Sequence, residues 1–141
     1  MADIRLFTIA EAERSLPLVR RILLDLQTEY PRWRAAVAEY ELVAGAARAD
    51  WGETPELLAA RGAVTTSAER INGWLGELDQ VGCVFKGFEP PLVDFYALRE
   101  DRPVFLCWRL GEERITHWHE VDAGYSGRQA IEPELLASRG H

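Results

Sequence analysis

Residues able to do chemistry are concentrated near the carboxyl end, in the stretch 104–129. This stretch contains Cys107, His117, His119, two of the five tryptophans and the run Asp-Ala-Gly-Tyr-Ser-Gly-Arg at 122–128. Thiol and imidazole groups are ligands for transition metals, and together they form the nucleophile and base of many covalent catalysts. A functional site is therefore expected here, and its chemistry depends on which side chains share a face.

The pair His117-x-His119 has a spacing that can place two imidazoles on one metal ion, because residues two apart on a strand point to the same side. Two imidazoles need at least one more ligand. Asp122, just beyond the predicted strand, or His141 in the tail can supply it. The apolar face predicted for both histidines favours the other interpretation, in which they are core or rim residues with hydrogen-bonded ring nitrogens, so the sequence predicts no metal site.

Two enzyme hypotheses use the same stretch. Cys107 is a nucleophile only if an imidazole lies within hydrogen-bond reach of its sulfur. The strand register given below places Cys107 and His119 on opposite faces, which argues for a structural cysteine. The second hypothesis makes His119 the acid–base group, with Glu120 or Asp122 as the accompanying carboxylate and a metal as a possible assistant.

A small-anion site is the third candidate. Glycines at 124 and 127 permit a turn that aims amide hydrogens at an anion, and arginine adds a fork of donors. The predicted ligand-binding residues are Arg109, Trp118, Asp122, Gly124, Gly127 and Arg128. The alternatives are a plain glycine turn and a cross-strand ion pair between Asp94 and Arg109.

Composition narrows the class of protein. A chain of 141 residues is long enough for one domain with a core, and a net charge of −7 argues against a nucleic-acid partner. Neither an apolar run of about 20 residues nor a signal-peptide pattern is present, so a cytoplasmic protein without a membrane segment is expected. Two cysteines do not make a disulfide framework. The sequence indicates no particular cofactor.

The first part of the chain, 8–80, predicts a long antiparallel helical hairpin. Thr8 and Glu11 have the spacing of a capping box that opens a short helix, and Pro17 suits the first turn of a second one. Apolar residues then alternate three and four apart from 16 to 47 without a break at Pro31, which indicates one bent helix. Thr54 and Pro55 start the second arm, and a glycine at 82 ends it.

This hairpin is also the predicted partner surface. Its seam carries Tyr30, Trp33 and Tyr40, which suit a wide interface, and a long hairpin leaves apolar surface uncovered. We therefore expect two hairpins to pair in a coiled-coil-like four-helix bundle, giving a homodimer. The alternative is a monomer in which the sheet folds back over the hairpin.

From residue 83 to 130 the pattern changes to alternation, which predicts a small antiparallel meander and a glycine turn, followed by a tail at 131–141. Expected strands are 83–86, 93–99, 104–110 and 115–121. The whole chain is thus predicted to be a single α+β domain. Pairing Arg99 with Val104 and Leu110 with Ile115 assigns every side chain to a face.

The predicted core face comprises Val93, Phe95, Ala97, Val104, Leu106, Trp108, Leu110, Ile115, His117, His119 and Val121. The predicted outer face comprises Asp94, Tyr96, Leu98, Phe105, Cys107, Arg109, Thr116, Trp118 and Glu120.

The phrases FTIAEAERSLPLVRRIL at 7–23, LCWRLGE at 106–112 and WHEVDAGYSGRQ at 118–129 resemble the bacterial Domain of Unknown Function 2203 family. The resemblance covers most of the chain, implies no assigned activity, and has an aromatic residue where this chain has His117. The matching positions in its carboxyl-terminal block are Asp94, Phe95, Arg102, Cys107, Trp108, Gly111, Glu112, Trp118, His119, Asp122, Gly124, Gly127 and Arg128.

Three classes of function follow, in this order. The first is a homodimeric structural or interaction module, with a protein partner at the sheet or the glycine turn. The second is a binder of a small anion or metabolite through Arg109 and Arg128. The third is an enzyme that uses His119.

Overall fold

The structure is a computed structural model that describes residues 4–47 and 52–137. Two long helices, α1 (Ile9–Ala46) and α2 (Pro55–Val81), pack along each other as a hairpin. An antiparallel sheet and a short helix, α3 (Pro133–Ala137), follow, so the α+β fold is as predicted. Neither long helix has an apolar stretch sufficient to cross a membrane.

Helix α1 begins as predicted, with a capping box. The Thr8 hydroxyl accepts a hydrogen bond from the Glu11 amide, and the Glu11 carboxylate accepts one from the Thr8 amide. The predicted break before Pro17 is wrong. The helix continues through both internal prolines. Leu16 and Val19 on either side of Pro17 are buried in one apolar stripe, and this packing outweighs the loss of one backbone hydrogen bond.

Helix α2 has both of its predicted ends. The Thr54 hydroxyl accepts the Leu57 amide, and Pro55 occupies the first turn, where no amide hydrogen is required. Gly82 ends the helix at φ 102°, a left-handed conformation that glycine adopts without a Cβ clash. The predicted loop between the helices lies partly outside the described residues, which resume at 52.

The sheet has five strands in the order of the chain, as a meander. They are β1 (Val84–Phe88), β2 (Pro91–Arg99), β3 (Arg102–Arg109), β4 (His117–Glu120) and β5 (Gln129–Ala130). The two-residue strand β5 and helix α3 were not anticipated. Strand β5 pairs with β4, and the Ile131 amide donates to the Thr116 carbonyl oxygen, so the start of the predicted tail lies beside β4. The predicted ligand His141 lies outside the described residues.

One face of the sheet packs on the hairpin to form the main core. Phe95 and Trp108 from the sheet are fully buried with Leu23 and Leu26 of α1 and Leu78 of α2. Burying a large apolar side chain contributes about 1.5–3 kcal/mol, so this layer is the main source of stability. The described part of α1 beyond Glu29 contains no buried residue.

The predicted pairing of β2 with β3 is shifted by two residues, but the faces predicted for their side chains are correct. Arg99 pairs with Arg102, two positions from the expected Val104, through a two-residue turn in which Glu100 and Asp101 have positive φ. An even shift leaves every side chain on its predicted face. Phe95 and Leu106 therefore face the core together, while Asp94 and Cys107 pair on the outer side.

The predicted register is wrong for β3 and β4. Strand β3 ends at Arg109, and β4 begins only at His117, where it pairs with Cys107. Ile115 does reach the core, but from the connection and not from the strand. This is a shift of one residue, which exchanges the faces of β4. Trp118 therefore packs into the core, while His117 and His119 share the face of Cys107.

Candidate functional site

Three potential metal ligands meet on the outer face of the sheet. Asp94 on β2, Cys107 on β3 and His119 on β4 place their ligand atoms within 4.8 Å of one another. Each of the three residues is at most 2% exposed. The middle strand supplies the thiol, and the strands on either side supply the carboxylate and the imidazole.

The hydrogen bonds of His119 fix which of its nitrogens is protonated. Nδ1 lies 2.7 Å from the Glu120 carbonyl oxygen, which only accepts, so Nδ1 donates. Nε2 lies 3.0 Å from Asp94 Oδ2. In a neutral imidazole this nitrogen carries a lone pair, and an ionised carboxylate also offers only lone pairs. A proton or a cation must therefore lie between them.

Asp94 is a buried carboxyl group with incomplete hydrogen bonding. Burial raises its pKa, while His119, Lys86 and the Cys107 thiol act in the opposite direction. The thiol lies against the carboxyl group, but Asp94 Oδ1 accepts no hydrogen bond of acceptable geometry. A buried acceptor without a partner costs about 1–3 kcal/mol, and the Cys107 thiol is the neighbouring group that can offset part of this cost.

Cys107 does not form a nucleophile–base pair with His119, although the two share a face. Both nitrogens of His119 already have partners, at Glu120 and at Asp94. Burial, followed by the nearby Asp94 carboxylate, raises the pKa of the Cys107 thiol to about 12. The facing argument against a catalytic pair was therefore wrong, but the ring nitrogens argue against it independently.

A single layer of side chains covers the cluster. Phe105 is buried beside it, with its ring 5.5 Å from that of His119 and 4.4 Å from that of Tyr96. Lys86 places its ammonium 4.9 Å from the Phe105 ring. On the other side, Arg128 donates to the Cys107 carbonyl oxygen at 3.3 Å. The outer face thus holds a second, smaller buried layer.

The residues of the predicted anion site come together only in part. Arg109 donates to the Tyr125 hydroxyl at 3.1 Å, and the Arg128 guanidinium lies 4.9 Å from the Tyr125 ring. Arg128 Nη2 donates to the Glu112 carboxylate, and both carboxylate oxygens lie within 2.9 Å of this nitrogen. A carboxylate of the chain itself therefore already takes the position expected for an anion on Arg128.

The glycine turn has a packing role. Gly124 has φ 71°, and a Cβ added to Gly127 would lie 2.7 Å from the Ala123 Cβ. Asp122 is exposed on this turn and does not belong to the Asp94–Cys107–His119 cluster. The turn therefore lets the chain approach itself closely and delivers Arg128 to Glu112.

The remaining predicted site residues have other roles. The Glu120 carboxylate is bound by Arg102, which lowers its pKa. Trp118 lies in the core, where the Arg99 guanidinium stacks 4.3 Å from its ring. His117 Nδ1 contacts the Thr116 hydroxyl, and His117 is not a member of the cluster. The predicted Asp94–Arg109 pair is wrong, because Asp94 lies opposite Cys107 and bonds to His119.

Sequence reasoning did not assign Asp94 or Glu112 to a site, although both are among the positions that match the family's carboxyl-terminal block. Asp94 was already assigned to the face of Cys107, so only the one-residue error in β4 hid its approach to His119. Glu112 follows Gly111, whose φ of 106° turns the chain directly after β3. No pattern in the sequence marks Glu112 as the partner of Arg128.

The fold and the cluster together define a small α+β protein with a buried Asp/Cys/His group. The chain belongs to the family described as Uncharacterized conserved protein (DUF2203), whose model matches residues 5–131 of the 141. No curated protein and no solved structure matches the chain.

Proposed function

We propose that this protein binds a divalent transition metal ion, of the zinc type, through Asp94, Cys107 and His119. The observation that carries the proposal is the approach of His119 Nε2 to Asp94 Oδ2 at 3.0 Å beside a buried thiol. A metal ion accounts for the lone pairs that face one another there. On losing their protons, the thiol and the carboxyl group become negatively charged ligands, and the metal ion neutralises their charge.

The spacing of the ligand atoms suits such an ion. Tetrahedral zinc holds sulfur at about 2.3 Å and nitrogen or oxygen at about 2.0–2.1 Å, so its ligand atoms lie roughly 3.3–3.6 Å apart. Binding would widen the 3.0 Å between Nε2 and Oδ2 slightly, and it would draw the three ligand atoms, which lie within 4.8 Å of one another, closer around the ion. The Nδ1 donation to the Glu120 carbonyl is the outer contact that usually orients a metal-bound histidine.

The type of metal follows from the donor set. A thiolate with an imidazole selects zinc, cobalt or iron over magnesium and calcium, which prefer oxygen. Three protein ligands leave one tetrahedral position for water or substrate, which is the arrangement of catalytic zinc sites. An ion bound here would supply Lewis acidity, whereas His119, with both nitrogens engaged, would act as a ligand and not as an acid–base group.

The test is metal binding by protein produced without a histidine tag. We expect one zinc ion per chain, and substitution with cobalt should give a thiolate-to-cobalt charge-transfer band in the near ultraviolet. Cys107→Ser should abolish the band, and Asp94→Asn and His119→Gln should each weaken binding by more than about 100-fold.

The matched controls are Cys83→Ser and His117→Gln. Cys83 is equally a buried free cysteine, but it lies outside the cluster. Both control variants should retain the band. Absence of stoichiometric metal from the wild-type protein, or unchanged binding in Cys107→Ser, would exclude the proposal.

The reducing cytoplasm is the proposed location, because an unpaired thiol ligand survives there.

We also propose that the protein is a homodimer joined through the far half of the hairpin. Trp33, Val37 and Tyr40 continue the seam in the half of α1 that lacks buried residues, and all three remain partly exposed. A second copy of this half supplies the matching apolar stripe, as in a four-helix bundle. Tyr30 and part of Trp33 belong to the monomer, since the Tyr30 ring stacks 4.0 Å from that of Phe88 and Trp33 packs against the core of its own chain.

Sedimentation at micromolar concentration tests the dimer. We expect a mass near twice the 16.0 kDa of the chain for the wild-type protein, and 16.0 kDa for Val37→Glu. Leu18→Glu is the control, because Leu18 is exposed on the near half of α1. A wild-type protein of 16.0 kDa would refute the dimer.

A further inference from the structure

A cavity of about 780 Å³ lies on the core side of the sheet, between the segment that precedes α1 and the segment that precedes α3. Its base is made of buried apolar side chains from both segments and from β2, β3 and β4. These side chains are Phe7, Ala97, Val104, Leu106, Trp118 and Ile131.

The rim of the cavity is apolar as well. Leu6 and Leu135 line it and are 48% and 45% exposed. Single exposed leucines are ordinary, but two of them beside an apolar depression form a patch of the kind found at binding sites. The volume also lies within the range of about 300–1,000 Å³ typical of small-molecule sites. The depression therefore suits an apolar body of ligand size.

The charges around the cavity select the polar end of such a ligand. Three carboxylates, those of Glu11, Glu100 and Glu132, line it against one guanidinium, that of Arg99. Arg99 is already engaged, because Glu132 binds it through both oxygens and its guanidinium stacks on Trp118. A negatively charged ligand would have to displace Glu132 from Arg99. A positively charged end can approach the Glu100 carboxylate, since the Glu11 carboxylate already accepts the Thr8 amide and that of Glu132 binds Arg99.

We propose that this cavity binds a small amphipathic cation, an apolar molecule that carries an amine or ammonium group. Trp118 contributes the inner wall, while the next residue, His119, points to the opposite side of the sheet. The cavity is thus separate from the Asp94–Cys107–His119 cluster, and the proposal does not depend on metal binding.

Three eight-carbon probes that differ only in their head group test the proposal. Octylamine is positively charged at neutral pH, octanol is neutral and octanoate is negative. Titration calorimetry should rank their affinities in that order, with octylamine at least about tenfold tighter than octanoate. Tighter binding of octanoate, or no binding of octylamine at millimolar concentration, would overturn the proposal.

Two variants locate the site. Leu6→Asn removes apolar surface at the rim and should weaken the binding of octylamine about fivefold, whereas Leu42→Asn, on the exposed far half of α1, should leave the affinity unchanged. Glu100→Asn removes a carboxylate while tolerating the φ of 51° and should narrow the preference for octylamine over octanoate. Equal effects of Leu6→Asn and Leu42→Asn would place the ligand elsewhere and contradict the proposal.

Discussion

His119 Nε2 lies 3.0 Å from Asp94 Oδ2, although the two residues belong to strands that are not neighbours. Strand β3 runs between them and contributes Cys107 to the same cluster. Adjacent strands lie about 4.8 Å apart, so only side chains that lean toward each other over the middle strand can meet. The contact therefore depends on the whole three-strand register and not on one hairpin.

The Asp94–His119 contact should be strongly coupled in protein freed of metal by a chelator. Asp94→Ala and His119→Ala each leave the other buried polar side chain without its hydrogen bond. We expect each substitution to lower the free energy of unfolding by about 1–3 kcal/mol. Because they remove the same interaction, the double variant should cost less than the sum of the two. Urea unfolding followed by tryptophan fluorescence measures this cycle, and strict additivity would show that the contact is not formed.

Glu29 should stabilise the pairing of α1 with α2. It is 4% exposed, accepts a hydrogen bond from the Ser67 hydroxyl at 2.6 Å, and lies 3.7 Å from both Arg32 and Arg70. Glu29→Ala should lower the free energy of unfolding by about 1–3 kcal/mol, because the Ser67 hydroxyl loses its acceptor. Glu29→Gln keeps an acceptor and should cost less. Denaturant titration compares the two, and equal losses would assign the effect to charge and not to the hydrogen bond.

Gly127→Ala should destabilise the glycine turn. The added Cβ would lie 2.7 Å from that of Ala123, and a clash between two Cβ atoms is relieved only by moving backbone. We expect the free energy of unfolding, measured by thermal unfolding, to fall by about 1–3 kcal/mol. Adding Ala123→Gly should restore most of it. Gly62→Ala is the control, since a Cβ there meets nothing within 4 Å and helix propensity predicts a gain of up to about 1 kcal/mol.

Two surface ion pairs should contribute to the acid sensitivity of the fold. Hydrogen bonding to Arg102 lowers the pKa of Glu120, and hydrogen bonding to Arg99 lowers that of Glu132, both from the usual 4.5. The unfolded chain therefore binds more protons, so the stabilisation is complete above pH 4.5 and is lost as the pH falls through the lower folded values. The double variant Glu120→Gln with Glu132→Gln should flatten the fall of melting temperature below pH 4.5. An unchanged slope would contradict this origin.

The elements of the fold were predictable from the sequence because their signals are local. Thr8 and Glu11 mark the start of α1, Thr54 and Pro55 mark the start of α2, and Gly82 marks its end. Heptad spacing followed by alternation gives a hairpin and then a sheet, and the meander follows from short connections. There are two exceptions. The short elements β5 and α3 were not anticipated, and at Pro17 the burial of the neighbouring apolar residues outweighs a local helix-breaking preference.

The site was decided by the tertiary structure. The sequence placed Cys107 and His119 in one stretch and Asp94 on the face of Cys107, but it could not fix the pairing of β4. The connection from 110 to 116 carries Ile115 into the core before β4 begins, and this shifts the pairing by one residue. Because side chains alternate along a strand, that shift moves His119 from the predicted core to the side of Asp94 and Cys107.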